Sequence, residues 1–216
     1  QGARRLARIG RDQEFHALGA AWVQRREIDS AAPSGGHVNP QGYRVADLVA
    51  GGRPEIILNN GDTLFYYQIP AEPETQAWPR TTVATATNSE GIGVGDLDRD
   101  GGLDLVVVHL PDRGRVEPRQ IKWLRNPKDG SGQWTATLLG CAAAEPACQA
   151  GLWRTDGNWV DRVEVADLNR DGRPDIVVSE EEQILEPRWK TYVFEAPPDP
   201  AAGAWARRIL ATQYTT

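Results

Sequence analysis

The sequence predicts an all-β protein built from repeated four-stranded antiparallel sheets, and three observations support this fold class. Four tryptophans each open a short β-like run at intervals of 56, 56 and 71 residues. A strand, an acidic loop and a second strand recur between them, and the first aspartate of this element falls at positions 47, 96 and 167. The chain also contains 22 Gly and 15 Pro, a proportion that suits many short strands joined by turns. The tryptophans are Trp22, Trp78, Trp134 and Trp205.

Each repeat contains four runs of β-forming residues separated by turn residues. In the third repeat they are RVEVADL, PDIVVSE, RWKTYVFEA and AWARRIL. Asn60-Gly61 predicts a tight hairpin between two such runs of the first repeat. The apolar runs LVVV and IVV lack alternation, which predicts inner strands covered on both faces. One short helix is expected, near residues 12–21.

Sheets of this size cannot bury both faces alone, so the repeat predicts stacked, β-propeller-like blades. We expect an N-terminal segment at 1–21, which could be the remnant of a preceding blade, and a repeat region at 22–216. Its units span approximately 43–85, 91–140 and 161–212, with an insertion at 140–159. Three to four blades are few for a closed ring. The expectation is therefore a fragment, or part of a larger or oligomeric propeller that further copies or another chain complete.

Composition argues against two classes of partner. The formal net charge is -6, whereas proteins that bind a nucleic-acid backbone carry basic patches. No run of 18 apolar residues occurs, so no membrane span is expected.

Two acidic loops carry the strongest chemical signal. Loop B (96–104, DLDRDGGLD) and loop C (167–175, DLNRDGRPD) share the pattern D-x-[DN]-x-D-G-x-x-D. Calcium takes six to eight oxygen ligands, and side chains at positions 1, 3, 5 and 9 of a tight loop can converge on one point. A carbonyl at position 7 can complete the set. The candidate ligands for two Ca²⁺ ions are Asp96, Asp98, Asp100, Gly102 and Asp104 in loop B, and Asp167, Asn169, Asp171, Arg173 and Asp175 in loop C.

These loops do not fit the EF-hand pattern, which needs a glutamate at position 12 and flanking helices. Position 12 is Val107 in loop B and Val178 in loop C, and both valines lie in β-branched runs. Loop A (47–55, DLVAGGRPE) has Val49 and Gly51 where ligands are needed. We expect loop A to keep the turn without binding an ion.

The loops and their strand–loop–strand setting resemble the FG-GAP/VCBS repeats of integrin-α-like propellers. The resemblance covers roughly residues 22–216, with specific motifs only at 96–104 and 167–175. It implies that the calcium loop links the first two strands of each blade. It also implies a secreted or cell-surface location and a role in adhesion, carbohydrate binding or assembly. Some members of the family lie within polysaccharide lyases.

Cys141 and Cys148 flank a short, alanine-rich loop in the insertion. A disulfide is the leading hypothesis and would favour an oxidising compartment, and two unpaired thiols are the alternative. The repeating tryptophans are expected to pack between sheets. Trp153 and Trp159 lie outside the repeat and are the better candidates for an exposed contact such as sugar stacking.

No catalytic residue is assigned. The three histidines, His16, His37 and His109, lack a surrounding nucleophile motif, and His109 follows LVVV as an expected strand residue. The leading hypothesis is a calcium-binding, non-catalytic extracellular module for glycan or protein binding or adhesion. The alternatives are a scaffold or catalytic propeller of a polysaccharide lyase, and a structural subunit of an extracellular filament or surface assembly.

Overall fold

The computed structural model describes part of the chain in two compact units. The described residues are 28–29, 40–60, 63–85, 87, 91–109, 120–145, 148–153, 159–181 and 188–214. Residues 28–29 and 70–78 belong to the smaller unit, and all other described residues belong to the larger one. The expected helix at 12–21, His16, His37 and Trp22 lie outside the described residues.

The larger unit contains three antiparallel sheets of four strands, each in simple chain order. Sheet A consists of β1 (Pro40–Ala46), β2 (Glu55–Asn60), β3 (Thr63–Tyr67) and β4 (Arg80–Thr85). Sheet B consists of β5 (Gly93–Gly95), β6 (Asp104–His109), β7 (Gln120–Arg125) and β8 (Thr135–Leu138). A small hairpin follows, formed by β9 (Cys148–Gln149) and β10 (Leu152–Trp153). Sheet C consists of β11 (Trp159–Ala166), β12 (Asp175–Glu181), β13 (Arg188–Glu195) and β14 (Ala206–Tyr214).

The all-β prediction is confirmed, since the described residues form strands and turns and contain no helix. Among them, accordingly, there is no helix of the length and apolarity needed to cross a membrane. The hairpin predicted at Asn60-Gly61 is present, because β2 and β3 pair antiparallel with Asn60 opposite Thr63. His109 lies in β6, as expected.

Sheet B is covered on both faces, which explains the unbroken apolar run in β6. Successive side chains of a strand point to opposite faces. Leu105 and Val107 are fully buried in a core shared with sheet A, and Val106 and Val108 are fully buried in a core shared with sheet C. The expectation of coverage on both faces therefore holds for β6. In β12 it holds for one face only, because Val177 is half-buried.

Glycines at every second position allow the inner strands of sheets B and C to approach closely. A Cβ built on Gly91 would lie 2.5 Å from the backbone nitrogen of Val163 and 2.7 Å from the carbonyl carbon of Arg162. A Cβ on Gly93 would lie 2.8 Å from a methyl carbon of Val163. Any larger residue at these positions would push β11 away from β5.

The insertion links sheets B and C. Cys141 and Cys148 form a disulfide, as the leading hypothesis held, and a closed loop of this length contributes about 2.5 kcal/mol in the loop-entropy account. The backbone amide of Trp205 donates to the carbonyl of Gly140 at 2.9 Å. The indole Nε1 of Trp153 donates to the carbonyl of Trp205 at 2.7 Å. Both backbone groups of Trp205 are thus held by the insertion.

The expectation of an exposed Trp153 is wrong. Its side chain is fully buried in the core between sheets B and C, in edge contact with Phe194 at a centroid distance of 5.8 Å. The side chain of Trp159 lies outside what the structure describes. The insertion buries Trp153 because the indole N–H finds a carbonyl acceptor there, which removes the cost of enclosing a polar group.

The packing role expected for the repeating tryptophans is confirmed for Trp205, which is buried, whereas Trp134 is half-buried against the core between sheets A and B. Trp205 donates from Nε1 to the carbonyl of Pro200 at 3.1 Å, five residues earlier. Trp78, in the smaller unit, makes the same bond to Pro73 at 3.0 Å. At both positions, the indole hydrogen bond closes the loop that precedes the fourth strand of a sheet.

We predict that Gly91→Ala lowers the free energy of unfolding by about 1–3 kcal/mol, because its Cβ meets backbone atoms that cannot rotate away. Gly52→Ala is the matched control, since a Cβ there meets nothing within 4 Å. It should change stability by no more than about 0.5 kcal/mol. Urea unfolding followed by tryptophan fluorescence measures both, and equal stability of the two variants would contradict the close approach.

Candidate metal centres

Each nine-residue loop joins the first and second strands of its sheet. Loop A lies between β1 and β2, loop B between β5 and β6, and loop C between β11 and β12. Val107 and Val178 lie in β6 and β12, which confirms that neither acidic loop is followed by an EF-hand helix. The three loops therefore lie at equivalent places in their sheets.

The acid at position 9 is a buried anchor in every loop. Glu55, Asp104 and Asp175 are each almost completely excluded from solvent. Each accepts a hydrogen bond from the amide of the leucine at position 2, at 2.7, 3.1 and 3.2 Å respectively. This bond closes the loop onto its own start and gives the buried carboxylate a partner.

In loops B and C, the second oxygen of the anchor reaches the residue that directly follows the third strand of the sheet. Asp104 accepts from the amide of Asn126 at 2.9 Å, and Asp175 accepts from the amide of Ala196 at 3.0 Å. Burial raises the pKa of Asp104 to about 6, although the amides of Asn126 and Leu97 favour its ionised form. A divalent cation beside this carboxylate would favour ionisation further.

Asn126 contacts both loop A and loop B, and the sequence analysis did not identify it. Its side-chain Nδ2 donates to the carbonyl of Leu48 at 2.8 Å and to the carbonyl of Leu103 at 2.9 Å. It therefore connects loop A to loop B across the two sheets. The available signal was a polar residue ending the run QIKWLRN, one position beyond β7.

The aspartate at position 1 turns the backbone of both acidic loops. In loop B, Asp96 accepts from the amides of Asp100 and Gly101, both at 2.9 Å. In loop C, Asp167 accepts from the amides of Asp171 and Gly172 at 3.1 and 2.9 Å. The same five-residue turn is thus built twice with the same bonds.

Left-handed backbone residues occur at positions 4 and 6 of both acidic loops. Arg99 and Gly101 have φ values of 60° and 87° in loop B, and Arg170 and Gly172 have 62° and 83° in loop C. The glycine at position 6 adopts this conformation without a Cβ clash. In loop A the left-handed glycine is Gly51 at position 5, with φ 106°. Loop A therefore keeps the anchor and the turn between its strands, but its left-handed residue lies at a different position from those of loops B and C.

Loop B brings three of its four predicted side-chain ligands together. One oxygen each from Asp96, Asp98 and Asp104 lie within 4.8 Å of one another. Asp100 is outside this group and pairs with the Lys128 ammonium at 3.0 Å. The amide of Gly102 and then Lys128 hold the pKa of Asp100 below its usual range.

Cations border both loops. Arg125 pairs with Asp98 at 2.5 Å in loop B. In loop C, Arg173 pairs through Nη2 with Asp171 at 2.5 Å and donates from Nε to the carbonyl of Ala196 at 3.0 Å. The side chain of Asn169 donates to Asp171 at 2.9 Å. Position 7, the predicted carbonyl ligand, donates its amide to the position-5 carboxylate at 2.9 Å in both loops.

The donor set of loop B fits a hard divalent cation, because oxygens of Asp96, Asp98 and Asp104 lie together, whereas the acids of loop C, although all within the described residues, do not converge in the same way. Loop B offers four carboxylates and loop C offers three carboxylates and one amide oxygen. Neither includes a thiolate or imidazole, so the chemistry favours Ca²⁺ over zinc or copper. Flexible six-to-eight-fold oxygen coordination at about 2.3–2.6 Å is compatible with exposed loops of this length.

No model of a known protein family matches the chain, and no curated protein matches it either. The function of the chain is therefore inferred from its own residues and their contacts.

We predict that Glu55→Ala lowers the free energy of unfolding by about 1–3 kcal/mol, because it leaves the buried amide of Leu48 without its acceptor. The loss should be the same with calcium and with EDTA, since loop A lacks the ligands for an ion. Thermal unfolding followed by circular dichroism provides the comparison. Asp47→Ala, at an exposed residue of the same loop, is the control and should leave stability within about 0.5 kcal/mol. A calcium-dependent loss in Glu55→Ala would place an ion in loop A.

Proposed function

We propose that this chain is a calcium-binding, propeller-like repeat module of the FG-GAP/VCBS type that acts outside the cell. Each four-stranded sheet would be one blade, and loops B and C would each hold one Ca²⁺ ion. The module would serve in glycan or protein binding, adhesion or assembly, without catalysing a reaction.

One observation carries the proposal: two oxygen-rich loops recur at the same place in successive sheets with the same internal bonds. An acidic turn that was merely solvated would not need to recur with the same hydrogen bonds. In loops B and C, the carboxylates at positions 1 and 9 accept equivalent hydrogen bonds from backbone amides. The residues at positions 4 and 6 of both loops have a left-handed backbone. Loop A, which lacks the ligands at positions 3 and 5, also lacks this pair of left-handed residues.

A structural role for calcium follows from how the ligands are used. Asp96 and Asp104 already organise backbone amides, so an ion held by them would fasten the first hairpin of the sheet to its third strand. Binding to the folded state alone would raise stability by mass action. Carboxylates engaged in this way are poorly placed to act as acids or bases on a substrate, which favours a non-catalytic module.

The disulfide supports an extracellular or cell-surface location. Cys141 and Cys148 are joined, and such bonds persist mainly in oxidising compartments. Extracellular calcium-binding modules typically bind the ion at near-millimolar concentration, and loops B and C have the oxygen-rich chemistry of such sites.

We predict that the chain binds two Ca²⁺ ions, measured by isothermal titration calorimetry after removal of metal with a chelator. Asp96→Ala should reduce the stoichiometry to one by removing a loop B ligand, and Asp167→Ala should do the same through loop C. Calcium should raise the unfolding temperature of the wild type more than that of either variant.

Asp47→Ala is the matched control for these variants, because it removes the first aspartate of loop A and should leave two ions bound. A wild-type chain that binds no calcium at millimolar concentration would refute the proposal. Retention of both ions in Asp96→Ala would move the site away from loop B.

We further predict that Asn169→Asp tightens binding in loop C by about tenfold or more, because it adds one negative charge at ligand position 3. Calcium affinity in such loops rises with ligand charge. The reciprocal variant Asp98→Asn should weaken loop B by a similar factor while leaving its site occupied at high calcium. Two-site calorimetric titrations measure both, and unchanged affinities would show that position 3 is not a ligand.

A further inference from the structure

A lysine from outside loop B holds the one predicted side-chain ligand that does not join the oxygen cluster of that loop. The ammonium of Lys128 lies 3.0 Å from a carboxylate oxygen of Asp100 and donates to the backbone carbonyl of the same residue at 3.1 Å. Oxygens of Asp96, Asp98 and Asp104 lie together without it. Lys128 therefore contacts both the side chain and the main chain of Asp100.

The stem of Lys128 also covers the backbone that is expected to supply the position-7 ligand. Gly102 is buried, and a Cβ built on it would lie 2.6 Å from Cδ and 2.7 Å from Cγ of Lys128. The lysine stem thus occupies the space that any larger residue at position 102 would need. The ammonium and the stem therefore lie against two different predicted ligands of loop B.

Two local features fix Lys128 in this place. Its backbone is left-handed, with a φ of 64°, a conformation that is uncommon for residues other than glycine. Its amide donates at 2.8 Å to the side-chain oxygen of Asn126, which also joins loop A to loop B. Backbone strain of this kind persists only where the surrounding contacts over-determine it. The position of Lys128 is therefore set by the fold and does not depend on the ion pair alone.

Loop C also pairs its position-5 carboxylate with a cation, but this cation comes from a different place in the chain. Arg173, at position 7 of loop C, pairs with Asp171 at 2.5 Å. The residue of sheet C that corresponds to Lys128 is Pro198, since both stand three positions after the end of the third strand. In loop B, position 7 is Gly102. Each acidic loop thus has one cation beside position 5, supplied by different elements in the two loops.

We propose that Lys128 is an internal counter-cation that occupies Asp100 in the calcium-free protein and thereby sets the calcium affinity of loop B. Asp100 has to leave the ammonium before its carboxylate can coordinate an ion, and the positive charge that stays nearby repels a divalent cation. The side chains of Lys128 and Asp100 are 44% and 35% exposed, so the pair can open without unfolding the sheet. This inference rests on the calcium site proposed for loop B, and it names the residue that regulates that site.

Neutral and charged replacements of Lys128 test this role. Lys128→Met keeps an unbranched stem over Gly102 and removes the charge, whereas Lys128→Arg keeps the charge. Lys190→Met is the matched control, because it removes the same charge from β13, near the end of that strand remote from loop C. All variants are made in an Asp167→Ala parent, so that loop B is the one proposed calcium site left intact. Isothermal titration calorimetry of the metal-free proteins with calcium chloride measures the affinity.

We expect Lys128→Met to tighten calcium binding by about tenfold, because the carboxylate loses a competing cation and the ion loses a like-charge neighbour. Lys128→Arg and Lys190→Met should bind within about threefold of the parent, since the first keeps the charge and the second acts from a screened distance. Calcium should also raise the unfolding temperature of Lys128→Met more than that of the parent, because tighter binding to the folded state stabilises it further.

Equal or weaker calcium binding by Lys128→Met would overturn the inference while leaving the proposed calcium site in place. Tightening of the same size in Lys190→Met would overturn it as well, because the effect would then be one of net charge. A parent that binds no calcium would refute the loop B site, and this inference with it.

Circular dichroism confirms that each variant is folded before its affinity is interpreted. Lys128→Gly replaces Lys128→Met if the latter does not fold, because glycine adopts the left-handed backbone at this position without a Cβ clash. The same tightening is expected of Lys128→Gly, and its absence would overturn the inference in the same way.

Discussion

The constraint on which this structure depends is that a four-stranded sheet has two faces and cannot bury either one by itself. Sheet B solves this by lying between sheets A and C, and its strand β6 is buried on both sides. The glycines at 91 and 93 let the neighbouring inner strand approach without a Cβ between them. Because hydrophobic burial is the main favourable term in folding, the stacking of sheets decides where every other group lies.

Stacking places the loops in equivalent environments, and the loops then use their acids for two purposes. The buried position-9 carboxylate satisfies backbone amides at the start of the loop and, in sheets B and C, beyond the third strand. The side chains at positions 1, 3 and 5 of loops B and C accept backbone amides of the turn, and Asp98, Asp100 and Asp171 also pair with nearby cations. Loop A separates these functions, because Glu55 keeps the anchor while ligands are absent at positions 3 and 5. The anchor therefore serves the fold in all three loops, and in loops B and C it is also one of the proposed calcium ligands.

The contacts between sheets bury equivalent residues in the middle of the stack and leave them exposed at its ends. Internal sheet contacts bury Leu48 and Leu97, and the pattern continues to an exposed Leu168 at one end and an exposed Tyr43 at the other. A protein made of stacked units needs its two end faces covered or made polar, since they are otherwise exposed to solvent.

The sequence by itself determined the all-β class with its groups of four antiparallel strands, the hairpin at Asn60-Gly61 and the residues of the acidic loops. These features depend on local patterning and turn chemistry, which act between residues close together in the chain. The tertiary structure alone decided that Trp153 is buried rather than exposed, that Asn126 joins loop A to loop B, and that loop A turns at Gly51. Each of these depends on a partner that is distant in the chain or on the covering of a face by a neighbouring sheet. Local patterns cannot specify such partners, because they arise only when the sheets stack.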